Sequence, residues 1–373
     1  MISLCPECGS TSPPNRIHSM THAPAHASSV SGPGGRRNAA VLITGAGGEV
    51  GHGLIRALAA SGAADVVAMD IRDLDPELKS MCREVFVGDI CDSGLLGRML
   101  AMYEMTEIYH LAALLSTRGE FTPEVAHHVN VTGTMNLLQL AVEQSRSHGH
   151  RVKFFYPSSI AAFGIADLAT KKQAGAVKED EHLNPTTMYG CNKLYGEHLG
   201  RYYSKHYRQL TSDRTHDLLD FRCIRYPGLI SAETMPSGGT SDYAPEMVHA
   251  AAAGKPYKCF VRPDTRIPFM VMEEAIEATL AIMRADAKQL TRQVYNIGSF
   301  SPSAAEIAGL VREFFPKAEV TFEPDIARQG IVDTWPEAVD DSAARRDWGF
   351  RTRFTARSAF AEILVPRIKA RYG

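Results

Sequence analysis

Tyr189 and Lys193 stand four residues apart in Tyr189-Gly190-Cys191-Asn192-Lys193, and on a helix that spacing sets a phenol and an ammonium on one face. A free phenol titrates at about 10. A neighbouring ammonium favours the phenolate, so Tyr189 can take or return a hydroxyl proton near neutral pH with Lys193 as its electrostatic support. Upstream, Ser158-Ser159 follows the apolar run Phe154-Phe155-Tyr156. A serine just past the carboxyl end of a strand can hydrogen-bond a reacting oxygen and steady its developing charge. Tyr189, Lys193 and Ser159 are therefore the candidate catalytic residues.

A second constellation supplies a place for a nucleotide. Thr44-Gly45-Ala46-Gly47-Gly48-Glu49-Val50-Gly51 directly follows the apolar run Val41-Leu42-Ile43 and fits T-G-x-x-G-x-x-G. Gly45, Gly48 and Gly51 permit a tight turn, close approach of backbone to a diphosphate and tight helix-on-strand packing, while amides around Glu49 and Val50 face the phosphates. Asp70 stands 19 residues beyond Gly51, where a carboxylate accepts from ribose hydroxyls. A 2′-phosphate there would meet like charge, so NAD is expected over NADP, with Arg72 the one residue that softens this. Asp89 and Ile90 end the next apolar run and are placed to meet the adenine. Lys193 can also reach the nicotinamide ribose.

Elements that could hold these groups are visible in the pattern. Val41-Leu42-Ile43, Val66-Val67-Ala68-Met69, Val85-Phe86-Val87, Ile108-Tyr109-His110-Leu111, Phe154-Phe155-Tyr156 and Phe221-Arg222-Cys223-Ile224 read as strands, mostly with helical stretches between them. Near-continuous apolar runs are what strands covered on both faces require, so the expected fold is α/β, a Rossmann-type doubly wound parallel sheet. After Pro227 the sequence turns irregular through Ser237-Gly238-Gly239-Thr240. Helices are expected near Ala244 to Ala253 and Glu273 to Met283, a strand at Val294-Tyr295-Asn296-Ile297, and a helix opened by the capping box of Ser303 with Glu306. The expected division is a nucleotide-binding domain over 38–227, with contributions from about 272–297, and a smaller α/β substrate lobe over 228–373.

With 373 residues and 45% apolar content the chain can bury a large core. Forty basic against forty-two acidic residues leave a net charge of −2, which recommends neither nucleic acid nor an anionic membrane; a small molecule is the expected partner. No apolar run approaches the roughly 18–20 residues of a membrane span. Residues 1–37 combine Pro13-Pro14, Gly32-Pro33-Gly34-Gly35 and many serines without apolar period, and are expected to be a disordered tail. Cys5 and Cys8 with His18, His22 and His26 have the side chains of a zinc site but lack framing apolar residues, so no metal is expected. The seven cysteines are scattered and read as reduced thiols. A cytoplasmic location follows; the mitochondrial matrix is the alternative if the tail, with its arginines at 16, 36 and 37, is a presequence.

Taken jointly, T-G-x-x-G-x-x-G, His110-Leu111-Ala112-Ala113, Asn130-Val131-Thr132-Gly133-Thr134, Ser158-Ser159 and Tyr189…Lys193 resemble the extended short-chain dehydrogenases, from roughly Ala39 to the C-terminus. Further segments, Ala112 to Ser116, Arg225 to Ser231, Gly238 to Ala244, Asp333 to Pro336 and Asp340 to Arg345, are similar to the members that oxidise L-threonine at its 3-hydroxyl to 2-amino-3-oxobutanoate. That resemblance implies NAD contacts extending to Ile71, Leu111, Ala112, Ala113 and Tyr226, substrate contacts at Ser116, Ser158, Thr240 and Asp242, and a homodimer. The chain departs from the pattern at Ser241, and at apparent insertions spanning Gln209 to Leu219 and lying between Gly164 and Asn184. A nucleotide-sugar epimerase or dehydratase is the alternative; it would need basic groups for a diphosphate, for which Arg262 and Arg266 are available.

Overall fold

The computed structural model describes residues 38–62, 65–212, 218–236 and 238–372. The expected tail with Cys5 and Cys8, residues 213–217 of the first insertion and Ser237 lie outside the described residues. Seven strands form one sheet: β1 (Asn38–Thr44), β2 (Asp65–Asp70), β3 (Glu84–Val87), β4 (Tyr103–His110), β5 (Val152–Ser159), β6 (Leu219–Tyr226) and β7 (Val294–Asn296). Every pairing is parallel, in the order β7-β6-β5-β4-β1-β2-β3. The chain reverses direction across the sheet between β1 and β4, where Thr44 pairs with His110, and a crevice for ligands opens at that point in such sheets.

Strand periodicity divides the core. Val41 and Ile43 of β1, Phe155 of β5 and Ile224 of β6 face α1 (Glu49–Ser61) and α8 (Met272–Arg284). Leu42, Ile108, Phe154, Tyr156 and Cys223 face the other way. They meet α2 (Ser93–Met102), α5 (Thr134–His148) and α6 (Met188–Lys205). Between β4 and α5 lie the short helices α3 (Ser116–Phe121) and α4 (Pro123–His127), both packed on α6. With both faces covered the strands have no need of polar alternation, which is why they read as apolar runs.

Beyond β6, α7 (Tyr243–Ala252) and α9 (Ala304–Phe314) enclose a separate core with Tyr243, Met247, Phe269, Ile307, Val311 and Phe360. The Ser303 and Glu306 capping box opens α9 as the sequence leads one to expect. Among the described residues no helix is long and apolar enough to cross a membrane.

The insertion after Gly164 is structured. It forms the helix Leu168–Ala174 and the short strand Ala176–Val177, which pairs with Ala338–Val339. Lys171 from that helix is buried and donates to Val332 O at 3.1 Å.

Candidate active site

Gly45 has a φ of +67°, in the left-handed region, and a Cβ there would stand 2.5 Å from the backbone nitrogen of Ala112. The loop thus lies directly against Leu111-Ala112-Ala113, where Leu111 N donates to Thr44 O at 3.0 Å. Gly48 caps α1 without a side-chain acceptor, so the first-turn amides at Glu49, Val50 and Gly51 are left for an anion at the positive end of the helix. Asp70 ends β2 beside this loop: Oδ2 accepts from Gly47 N at 2.9 Å and Oδ1 from Arg72 N at 3.1 Å.

Ile71 follows on the surface, Asp89 is exposed with its carboxylate accepting from Cys91 N at 2.8 Å, and Ile90 is buried against Gly133. A glycine cradle that a Cβ would fill, an uncapped helix start and a carboxylate at the tip of the second strand together fit a dinucleotide. Serine in place of Asp70 is expected to weaken NAD use by roughly 10–100-fold, the worth of a charged hydrogen-bond partner, and to narrow the preference over NADP. Steady-state kcat/KM with each cofactor checks it; an unchanged ratio would count against the ribose role.

Two expected contacts are engaged elsewhere. Tyr226 packs in the core shared with α8 and its hydroxyl bonds Thr279. Ser158 is 2% exposed and donates to Glu197 Oε1 at 2.5 Å, so its hydroxyl is taken up by α6. Its neighbour Ser159 takes the other side of the strand end, where its hydroxyl accepts from Ala161 N at 3.1 Å and bonds Tyr189.

Tyr189 opens α6 inside its first turn, after Thr187 caps the helix by accepting from Gly190 N at 3.0 Å. Lys193 follows one turn later, 4% exposed, with Nζ donating to Pro157 O at 2.7 Å and lying 5.5 Å from the Tyr189 ring centroid. The pair therefore does share a helix face. The acidity differs from the sequence expectation, however. Burial pushes the Tyr189 phenol upward and the Ser159 hydrogen bond only partly offsets it. Burial likewise pulls the Lys193 ammonium down to about 8.

Ser116 and Thr240, far apart in sequence, meet: Thr240 Oγ1 donates to Ser116 Oγ at 3.1 Å and Thr240 N to the same oxygen at 3.3 Å. Gly119, one turn along α3 from Ser116, lies against Tyr189 with room for a Cβ 3.9 Å from Tyr189 Cβ, and Glu120 accepts from Met188 N at 2.8 Å. Asp242 closes the Gly238 turn by accepting from Gly239 N at 2.6 Å. It also acts on the cofactor loop, since burial first and then Asp242 push the Glu49 carboxyl up to about 7. Arg328, from the helix Ile326–Asp333, holds the same turn by donating to Gly239 O at 2.9 Å.

The family model for the NAD dependent epimerase/dehydratase family matches residues 41–298, well over half of the chain. This chain belongs to the NAD-dependent epimerase/dehydratase family. NAD is accordingly the cofactor, and several similar proteins narrow the comparison. The mitochondrial L-threonine 3-dehydrogenase of Bos taurus is 37% identical over 315 residues, 84% of this chain and 79% of that protein. A GalE-like L-threonine dehydrogenase from Cupriavidus necator, solved in holo form, superposes with a TM-score of 0.75 at 36% identity, covering 87% of this chain and 99% of the other. A monomeric L-threonine 3-dehydrogenase from a metagenome, in apo form, gives 0.77 at 35% identity, covering 89% and 100%.

Several residues of this family member have roles that their local sequence does not announce. His110 bridges Thr44 Oγ1 at 2.9 Å and Thr134 Oγ1 at 2.8 Å from full burial, which pulls its pKa down to about 3 and keeps the ring neutral. Asn130 clamps the Leu114 backbone from both sides at 2.7 and 3.0 Å, fixing the segment that leads into Ser116. Glu197 continues the spacing of Tyr189 and Lys193 by one more turn.

Proposed function

We propose that this chain oxidises L-threonine at its 3-hydroxyl to 2-amino-3-oxobutanoate, with NAD as the hydride acceptor. The observation that carries the reading is the joint presence of Tyr189, Lys193 and Ser159 beside a fitting dinucleotide cradle, with Ser116 on the helix that packs against α6, Thr240 bonded to Ser116, and Asp242 two residues further along the same loop. NAD, when bound, takes the hydride that leaves C3. Tyr189 takes the proton of the 3-hydroxyl, so that the C3 to O bond becomes a carbonyl. Ser159 donates to the reacting oxygen and Lys193 offsets the phenolate charge as it forms. Asp242 pairs with the substrate ammonium, and Ser116 and Thr240 hold its carboxylate or amine; such a polar site rejects ligands that leave its groups unpaired. In this proposal residues 228–373 form the substrate lobe.

The epimerase or dehydratase alternative loses its diphosphate ligands. Arg262 is bound to Asp333 at 2.8 and 2.9 Å, and Arg266 donates to Ser301 O and to Glu306 at 2.8 Å each. NADH absorbance is expected with NAD and L-threonine, and none with UDP-glucose. Absence of NADH under saturating threonine would reject the reading.

A homodimer is part of the same proposal. Phe121 is 82% exposed on α3, and Val125 on α4 and Tyr195 and Tyr202 on α6 present further apolar surface on helices that pack together. Such a patch is what an isologous dimer buries. Light scattering is expected to give twice the chain mass, falling to one for Phe121→Asp combined with Tyr195→Asp. A monomeric parent protein, like the metagenomic relative, would reject the dimer alone.

A further inference from the structure

The stripe of Tyr189 and Lys193 continues to Glu197, which lies one helical turn beyond the lysine and is 4% exposed. Its carboxylate is held on three sides. Ser158 Oγ donates to Oε1 at 2.5 Å, Arg225 Nε to the same oxygen at 2.8 Å and the second Arg225 nitrogen to Oε2 at 2.7 Å. Arg225 is itself locked, its remaining nitrogen donating to Glu179 O at 2.7 Å from the inserted segment. The Glu179 carboxylate accepts in turn from Arg292 at 2.8 Å and Asn296 N at 3.2 Å. Burying an ion pair this completely costs desolvation that its mutual attraction seldom repays with margin, so stability alone is a weak reason for its presence.

The surroundings of Lys193 supply another reason. Its ammonium lies 4.8 Å from the Tyr156 ring centroid and 5.5 Å from that of Tyr189, and donates to the Pro157 carbonyl. The titratable groups set against it are His110 from β4, Tyr156 from β5, Cys223 from β6, and Tyr189 and Glu197 from its own helix, with Arg225 of β6 paired to Glu197. Burial keeps His110 neutral and pushes the Tyr156 phenol and the Cys223 thiol well upward, so neither ring nor thiol offers a charge at neutral pH. Arg225 is spent on Glu197. Among these groups the Glu197 carboxylate is the one anion, and it opposes the burial that drains the ammonium of its proton.

We infer that Glu197 is a positioning residue for the reaction: clamped by Arg225 and Ser158, its carboxylate keeps the buried Lys193 in its ammonium form beneath Tyr189. The activity readout of this inference rests on the threonine oxidation proposed above; the titration readout does not. The sign follows from the lysine. Its pKa is depressed to about 8, so the charge is present below that pH and lost above it, and removing a neighbouring anion moves the loss to lower pH. Arg225, left without its partner, pushes in the same direction.

The test uses the full chain with NAD, labelled with lysine carrying carbon-13 at Cε, the Lys193 resonance being assigned with Lys193→Arg. Glu197→Gln is expected to lower the Lys193 titration midpoint by at least about one pH unit, and Glu197→Asp to restore most of it. The alkaline limb of kcat with L-threonine should move by a similar amount. Glu197→Gln combined with Arg225→Met removes both charges at similar volume; it keeps the question open to test if the single variant fails to fold, and a smaller lowering of the midpoint, in the same direction, is expected. A Lys193 midpoint equal to that of the parent protein in either folded variant overturns the inference. Failure of the parent protein to reduce NAD with threonine rejects the proposed function instead, while the NMR midpoints still decide the role of Glu197.

Discussion

Phenylalanine at position 189 is expected to lower kcat for L-threonine oxidation by about 10²–10⁴-fold, the usual contribution of a positioned acid–base group. The substitution removes one oxygen. The ring stays, and with it the packing on α3 and the face that Lys193 approaches. What disappears is the acceptor for the substrate proton, together with the hydrogen bond to Ser159. Burial holds the phenol above its ordinary value in the resting site, so the phenolate needs the support of its neighbours to form. The kinetic signature is therefore an equal fall in kcat and kcat/KM, since the interaction is made in the transition state and not in binding. NAD affinity, read by calorimetry, should change by no more than a few-fold. A kcat within tenfold of the parent protein would assign the proton transfer to another group.

The glycine loop, Asp70, Tyr189 and Lys193 were legible because each rests on short-range spacing: a strand followed by a turn, a strand tip, two residues one helical turn apart. Serine 158 shows where such reasoning stops too early. Successive residues of a strand point to opposite faces. Ser158 shares parity with Phe154 and Tyr156, which lie under α6, so its inward hydroxyl was implied by the same pattern that announced the strand. Glu197 follows the same logic on a helix, one turn beyond Lys193. Other features had no local signal. Asp333 lies 71 residues from Arg262 and Glu306 lies 40 from Arg266, so nothing in the sequence around either arginine shows that it is already paired. The acidity of Tyr189 is also a tertiary quantity. Spacing brings the ammonium near, but burial of the phenol decides the sign.

The close seat of α6 on the sheet leads to the second large effect. Gly196, three residues past Lys193, faces the Tyr156 ring so closely that a Cβ would stand 2.5 Å from Cζ, far inside contact distance. Tyr156 has little freedom to give way: it is 1% exposed, with Phe221 and His110 against its ring at centroid distances of 6.0 Å each. Alanine at 196 therefore forces the helix away from β5, at a cost of about 1–3 kcal/mol for overpacking a filled core. That movement carries Tyr189, Lys193 and Glu197 together, and a misplacement of about 1 Å at reacting groups costs on the order of 10²-fold in rate. Gly97 provides the comparison. It is exposed on α2 with nothing within 4 Å of an added Cβ, so Gly97→Ala should leave activity alone and stabilise by up to about 1 kcal/mol through better helix propensity. Urea midpoints and kcat measured side by side separate the two. Gly196→Ala is expected to lose both stability and turnover, and if it matched Gly97→Ala in each, the hydroxyl end of Tyr156 would not be what sets the height of the catalytic helix above the sheet.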